Sequence, residues 1–399
     1  MRKSTFSPAA WKAIAIGSLC SVAYLAVYIA RNILGSVSPQ MIEAGIFTES
    51  QIGTLSSVYF ISYAIGQLIN GVIGDKVKSK YMISLGLIFA GICNILFAVF
   101  SGNRLGSIVT YAMTGFSLAM IYAPMTKVVA ENTDPIYAPR CSLGYTFASF
   151  LGSPFAGILA AILVWQGVFA TSSATLLIMG VLCFTIFTVM ERKGIVKYGQ
   201  YDQPKQSGGS IKTLISHSII RFTLVAMLTG VVRTTVVFWL PTFLSQYLGF
   251  SAKKAALLYT VSTFAISSST FIAVFTYEKL KRNMYLTLLA SFAAAAASFL
   301  AVYLLKQPIA CIVFMVVAIT TANCASNILW SIYCPSLRDT GMVSGATGFL
   351  DFASYMAAAV SSAIFSNAVE QIGWGPLILV WAGLMLCGVF TALPLNKKG

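Results

Sequence analysis

Two arginines stand where a charge is costly. Arg31 lies in the apolar stretch YLAVYIARNILGSVSP, residues 24–39, and Arg233 lies in a second apolar stretch 202 residues further on. Each is followed eight residues later by a proline, Pro39 and Pro241. A guanidinium is a planar fork of donors that fits phosphate or carboxylate oxygens bidentately. Tyr24, Tyr28 and Arg31 are spaced i, i+4 and i+7, so a helix gathers two phenol hydroxyls and one fixed cation on one face. The chemistry of such a face is capture of an oxyanion. No nucleotide loop, metal cluster or activated nucleophile accompanies it, so neither enzyme activity nor a cofactor is expected.

The elements that must carry these arginines cross a membrane. Of the 399 residues, 58% are hydrophobic and only 9% are charged, and apolar runs of the roughly 20 residues needed to span a bilayer recur throughout. Backbone groups in hydrocarbon must be satisfied within the segment, and no alternating ten-residue pattern suggests a barrel, so the spans are helical. The expected helices cover about 13–39, 51–73, 81–100, 106–129, 141–163, 168–190, 219–247, 251–277, 285–305, 309–333, 342–368 and 375–393. The first run lacks a small-residue cleavage signature and is read as retained. Pro39 marks its expected end, Thr48 to Gln51 has capping-box spacing, and Tyr122-Ala123-Pro124 and Gly152-Ser153-Pro154 mark breaks.

A net charge of +15 would suit nucleic acid, but the cations fall in alternate loops, among them Lys76, Lys78 and Lys80, and Lys279, Lys281 and Arg282. That is the positive-inside pattern, so the expected partner is the lipid bilayer of the cell (inner or plasma) membrane. Arg2, Lys3, Lys397 and Lys398 then put both termini in the cytoplasm. The eight cysteines sit singly in apolar segments and read as small hydrophobes. His217 lies at the end of a polar segment, which leaves it no proton-relay role in this reading.

The polar stretch 191–216 falls near mid-chain, and the halves on either side align. Arg31 falls on Arg233, Pro39 on Pro241 and Thr48 on Ser251. The reading is an all-α membrane protein of twelve helices in two pseudo-symmetric six-helix bundles, 1–190 and 217–399, joined by a cytoplasmic linker at 191–216.

At this point the residues resemble the organophosphate:phosphate antiporters of the major facilitator superfamily. Tyr24, Tyr28, Arg31 and Pro39 match the first-helix pattern, and Arg233, Trp239, Pro241, Thr242, Phe243 and Leu244 match that of the seventh. The resemblance implies that Arg31 and Arg233 hold the phosphate group, with Tyr24, Tyr28, Tyr63 and Lys127 beside it. It departs at Gln67, where glycerol-phosphate carriers have lysine, and at Thr347 and Leu350, where hexose-phosphate carriers have an Asp and a Lys; an acid, Asp351, comes one residue after Leu350. The expected binding set is therefore Arg31, Arg233, Tyr24, Tyr28, Tyr63, Gln67, Lys127 and Asp351.

The implied function is a monomeric secondary transporter moving a sugar or glycerol phosphate, exchanged for inorganic phosphate by alternating access. Two bare arginines would repel in the empty carrier, which makes exchange its natural mode. Two alternatives stay open: proton-coupled transport of a carboxylate or other organic anion, and a transporter-like sensor of phosphate esters. Asp351 is either a substrate or proton group or a structural partner, Asn323 and Asn327 read as helix glue, and Trp239 reads as packing.

Overall fold

The computed structural model describes residues 7–134, 136–198, 215, 217–337 and 343–393. Among them are twelve helices long and apolar enough to cross a membrane. We label them α1 (Pro8–Glu43), α2 (Glu49–Asn70), α3 (Ser79–Val99), α4 (Arg104–Asn132), α5 (Arg140–Ile162), α6 (Trp165–Arg192), α7 (Ile219–Tyr247), α8 (Ala252–Lys279), α9 (Met284–Leu304), α10 (Pro308–Tyr333), α11 (Ala346–Ile372) and α12 (Trp374–Ala392). No strand occurs among the described residues. Arg2, Lys3, Lys397, Lys398 and most of the 191–216 linker lie outside them.

The capping box at the start of α2 forms: the Thr48 N–H donates to Gln51 Oε1 at 2.9 Å and the Gln51 N–H to Thr48 Oγ1 at 3.3 Å. Pro39 does not end α1, which runs on to Glu43 with the proline inside it. The ring removes one N–H and crowds the carbonyl four residues back, a cost that contacts around the next turn can offset. Here the neighbouring Ser38 hydroxyl is tied to that of Thr242 at 2.8 Å.

Contacts divide the chain into two compact units. The first comprises residues 1–37 and 62–205, the second 38–61 and 206–399. In the first unit small residues let helices approach closely. A Cβ on Gly91 would fall 2.9 Å from Leu177 Cγ, one on Gly180 2.6 Å from Ile88 Cγ1, and one on Gly86 2.9 Å from the Ser117 carbonyl. These glycines set α3 against α6 and α4.

A short strap leaves the end of α6. Gly194 turns with φ +68°, Val196 is buried, and the Asn132 amide grips the backbone of Lys197 from both sides. Its Nδ2 donates to the Lys197 carbonyl at 2.9 Å and its Oδ1 accepts the Lys197 N–H at 2.7 Å. Glu191 bonds Lys78 at 2.7 Å and Lys80 at 2.5 Å, and its hydrogen bond holds the Lys78 ammonium above the usual lysine range.

In the second unit α7 packs on α11. A Cβ on Gly230 would fall 2.7 Å from the Ser354 carbonyl, so only glycine lets the two backbones meet there. Five residues on, the Thr235 hydroxyl donates to the Ala358 carbonyl at 2.9 Å and meets the Ser361 hydroxyl at 2.9 Å. Residues 38–61 join this unit through a seam of hydroxyls, beside which the Ser50 N–H donates to the Glu370 carboxylate and the Gln246 amide to that of Glu49. Ser38 meets Thr242, Ser56 meets Ser362, and Ser57 donates to the Ala359 carbonyl at 2.7 Å. Trp239, fully buried, packs against Phe238 and Trp374.

Candidate functional site

In the first unit, α1 presents Tyr24, Tyr28 and Arg31 on one face, as their spacing requires. The Arg31 guanidinium lies over two phenol rings, 5.3 Å from the centroid of Tyr28 and 5.2 Å from that of Tyr63 on α2. Ring faces attract a cation and hold its plane. The position of Tyr28 follows from Gly152: a Cβ there would fall 2.7 Å from the Tyr28 carbonyl carbon, so α5 lies directly against α1 at that turn. The break at 152–154 thus serves a close approach, and α5 continues helical through Pro154.

Tyr24 is buried and extends the aromatic face. Its ring lies 4.9 Å from Tyr28, 5.6 Å from Tyr122 on α4 and 6.0 Å from Tyr145 on α5. Gln67 stands one turn beyond Tyr63, half-buried, and Lys127 is half-buried on the second part of α4. Of the residues expected from sequence, ring and cation contacts gather Arg31, Tyr24, Tyr28 and Tyr63, and Gln67 and Lys127 lie on the flanking helices α2 and α4.

In the second unit Arg233 sits in a π-helical turn of α7, Val231–Val236. Such turns carry one extra residue and recur at functional positions. The Arg233 guanidinium is 3.9 Å from the Asp351 carboxylate on α11. It also lies 6.0 Å from the ring of Trp330 and 5.9 Å from that of Tyr355. Trp330 belongs to another π turn, Leu329–Tyr333 on α10. The arginine and the acid retain 32% and 26% of their side-chain exposure, so the pair is only partly enclosed. At such a separation an effective dielectric near 20 gives an attraction of about 4 kcal/mol before desolvation.

Four residues of these clusters were not foreseen: Tyr122, Tyr145, Trp330 and Tyr355. Tyr355 follows Asp351 by one helical turn, a spacing visible in sequence. Trp330 is brought round by a π turn, which leaves no such trace. Asn327 meets Ser269 at 3.5 Å, joining α10 to α8 as its reading as helix glue expected.

Twelve apolar helices, with a charged, aromatic-lined face inside each of two helical units, define a polytopic membrane protein. The sequence profile of the Major Facilitator Superfamily matches residues 20–362. The chain belongs to that superfamily, and with relatives named as transporters along nearly its whole length it is a transporter and not an enzyme. It is similar to the phosphoglycerate transporter protein of Salmonella typhimurium (strain LT2), 21% identical across 93% of this chain and 86% of the relative. It is also similar to the membrane sensor protein UhpC of the same organism, 30% identical over 93 residues, 23% of this chain and 21% of the sensor's length. Among solved structures, a D-xylose-proton symporter superposes with a TM-score of 0.72, at 14% identity, covering 96% of this chain and 98% of that one. This likeness shows the fold.

Proposed function

We propose that the chain is a secondary active transporter that moves an organic phosphate ester, a sugar or glycerol phosphate, in exchange for inorganic phosphate by alternating access. It would work as a monomer in the cell membrane, with six-helix bundles at 1–190 and 217–399, a linker at 191–216 and both termini in the cytoplasm. Relatives named as phosphoglycerate, glycerol-3-phosphate and hexose phosphate transporters support the substrate class. Residues Arg31, Arg233, Tyr24, Tyr28, Tyr63, Gln67, Lys127 and Asp351 are the proposed binding set, Asp351 as the acid from which an arriving anion takes Arg233.

One observation carries the reading. Each of the two repeat-related arginines lies within a membrane-crossing helix with its guanidinium over two aromatic rings. Stacking holds a planar fork in place while its cost at that depth is met by an anion. The test is a counterflow panel: purified protein in phosphate-loaded vesicles, challenged with phosphate esters and with carboxylates. Esters should compete best, and carboxylates outcompeting phosphate would overturn the proposal.

The pairing of Arg233 with Asp351 favours a second reading. Arg233 is not a bare charge, so repulsion between two naked arginines is a weaker reason for obligatory exchange. An anion arriving at Arg233 meets a carboxylate, and a proton on Asp351 would remove that repulsion, which is proton coupling. Uptake driven by a pH gradient into vesicles free of internal phosphate would select this reading over exchange.

A further inference from the structure

The helix that carries Lys127 is broken at mid-span. The first part of α4 ends at Leu118, residues 119–121 form tight turns, and a second helical part begins at Tyr122. The Met120 and Ile121 N–H groups donate back only three residues, to Ser117 and Leu118. Pro124, lacking an N–H, withdraws the donor that would have met the Met120 carbonyl. In hydrocarbon such a break is tolerated where the freed backbone is buried in protein or faces a wet cavity, and broken helices mark binding sites in transporters.

The break also changes the character of the exposed arc. In the first part of α4 it is Leu105, Val109 and Met113, large apolar side chains suited to lipid. In the second part Tyr122, Ala123 and Ala130 are exposed, and Thr126 and Lys127 beside them are half-buried. A lysine within the span does not face acyl chains, so this arc faces the interior of the protein. Tyr122 is 40% exposed there. Its ring is braced at 5.6 Å by Tyr24 and at 6.2 Å by Tyr145, both buried. Tyr24 in turn lies on the Arg31 face of α1.

We propose that Tyr122 is the platform on which the organic part of the substrate lies, and that the substrate of this site is the phosphate ester of a ring-bearing sugar. The inference rests on the phosphate-ester reading above and deepens it. The Arg31 guanidinium lies 5.3 Å from the Tyr28 ring, Tyr28 lies 4.9 Å from Tyr24, and Tyr24 lies 5.6 Å from Tyr122. The platform is thus joined to Arg31 through a row of rings, and only the organic part of a substrate whose phosphate is held at Arg31 can touch it. A hexose ring offers a flat face of C–H groups to the exposed phenol. A glycerol chain covers less of the ring, and inorganic phosphate none. The two buried tyrosines keep the platform rigid, which limits the entropy lost when a ligand settles on it.

The test uses the full chain in phosphate-loaded vesicles and reads inhibition of phosphate counterflow by glucose 6-phosphate, glycerol 3-phosphate and phosphate itself. In the unchanged protein glucose 6-phosphate should inhibit best. Tyr122→Phe should keep the ratio of its apparent affinity to that of phosphate. Tyr122→Leu, which retains bulk and helix propensity without an aromatic face, should lower that ratio about tenfold, and Tyr122→Ala should do the same. A ratio unchanged in Tyr122→Leu overturns the platform while leaving the phosphate-ester reading intact. Absence of phosphate counterflow in the unchanged protein overturns that reading and the platform with it.

Discussion

The Asp351 carboxylate lies 3.9 Å from the Arg233 guanidinium, while Arg31 is approached by the rings of Tyr28 and Tyr63. The distance exceeds a hydrogen bond yet leaves a strong electrostatic interaction. An incoming anion competes with Asp351 for Arg233. Asp351→Asn should therefore raise the apparent affinity for phosphate about tenfold, roughly 1.4 kcal/mol of the pair's attraction. Phosphate binding measured by calorimetry on the detergent-solubilised variant checks this; weaker binding would assign Asp351 to the substrate directly.

Arg31 and Arg233 should each be indispensable. Arg31→Lys keeps the charge and loses the planar fork stacked over Tyr28 and Tyr63, so affinity should fall at least about tenfold. Arg31→Gln and Arg233→Gln should each abolish phosphate exchange at normal membrane abundance. Rapid exchange surviving in either Gln variant removes that arginine from the site.

Much of this arrangement was legible in the residues, and the reasons for the rest are physical. The twelve spans and the Arg31 and Arg233 pair follow from bilayer thickness and the cost of a buried charge. The end of α1 did not, because tertiary contacts can carry a helix past a proline, and the Ser38–Thr242 contact joins residues 204 positions apart in sequence. Tyr122 was visible only as part of a break. That its ring joins Tyr24 depends on the packing of α4 against α1, which no local pattern encodes. Trp330 depends on one extra residue in a turn of α10.

Gly230 should tolerate no side chain. Gly230→Ala sets a methyl against the Ser354 backbone, at 2.7 Å from its carbonyl oxygen. Separating α7 from α11 there should cost about 1–3 kcal/mol and displace Arg233 from Asp351. A lowered unfolding temperature in detergent, together with weakened phosphate binding, is the expected result; an unchanged unfolding temperature would show that the two helices slide apart freely.

Asn132→Ala should free the strap at 194–198. It removes two hydrogen bonds to the Lys197 backbone, each worth about 1 kcal/mol net. Amide exchange at residues 195–198 should accelerate by roughly 30-fold, a factor that corresponds to about 2 kcal/mol. Exchange as slow as in the unchanged protein would mean that the Ile195 and Val196 bonds to the Met190 carbonyl and the burial of Val196 hold the strap.

The hydroxyl seam of the second unit has a consequence in osmotic terms. Ser38 with Thr242, Ser56 with Ser362, and Ser57 with the Ala359 carbonyl are fastened without any ion pair. Water replaces such bonds nearly one for one, so parting the seam costs little energy and takes up solvent. A fastening of this kind responds to the activity of water more than to salt. Sucrose or another excluded osmolyte should hold it shut, whereas raising the ionic strength should leave it almost unchanged.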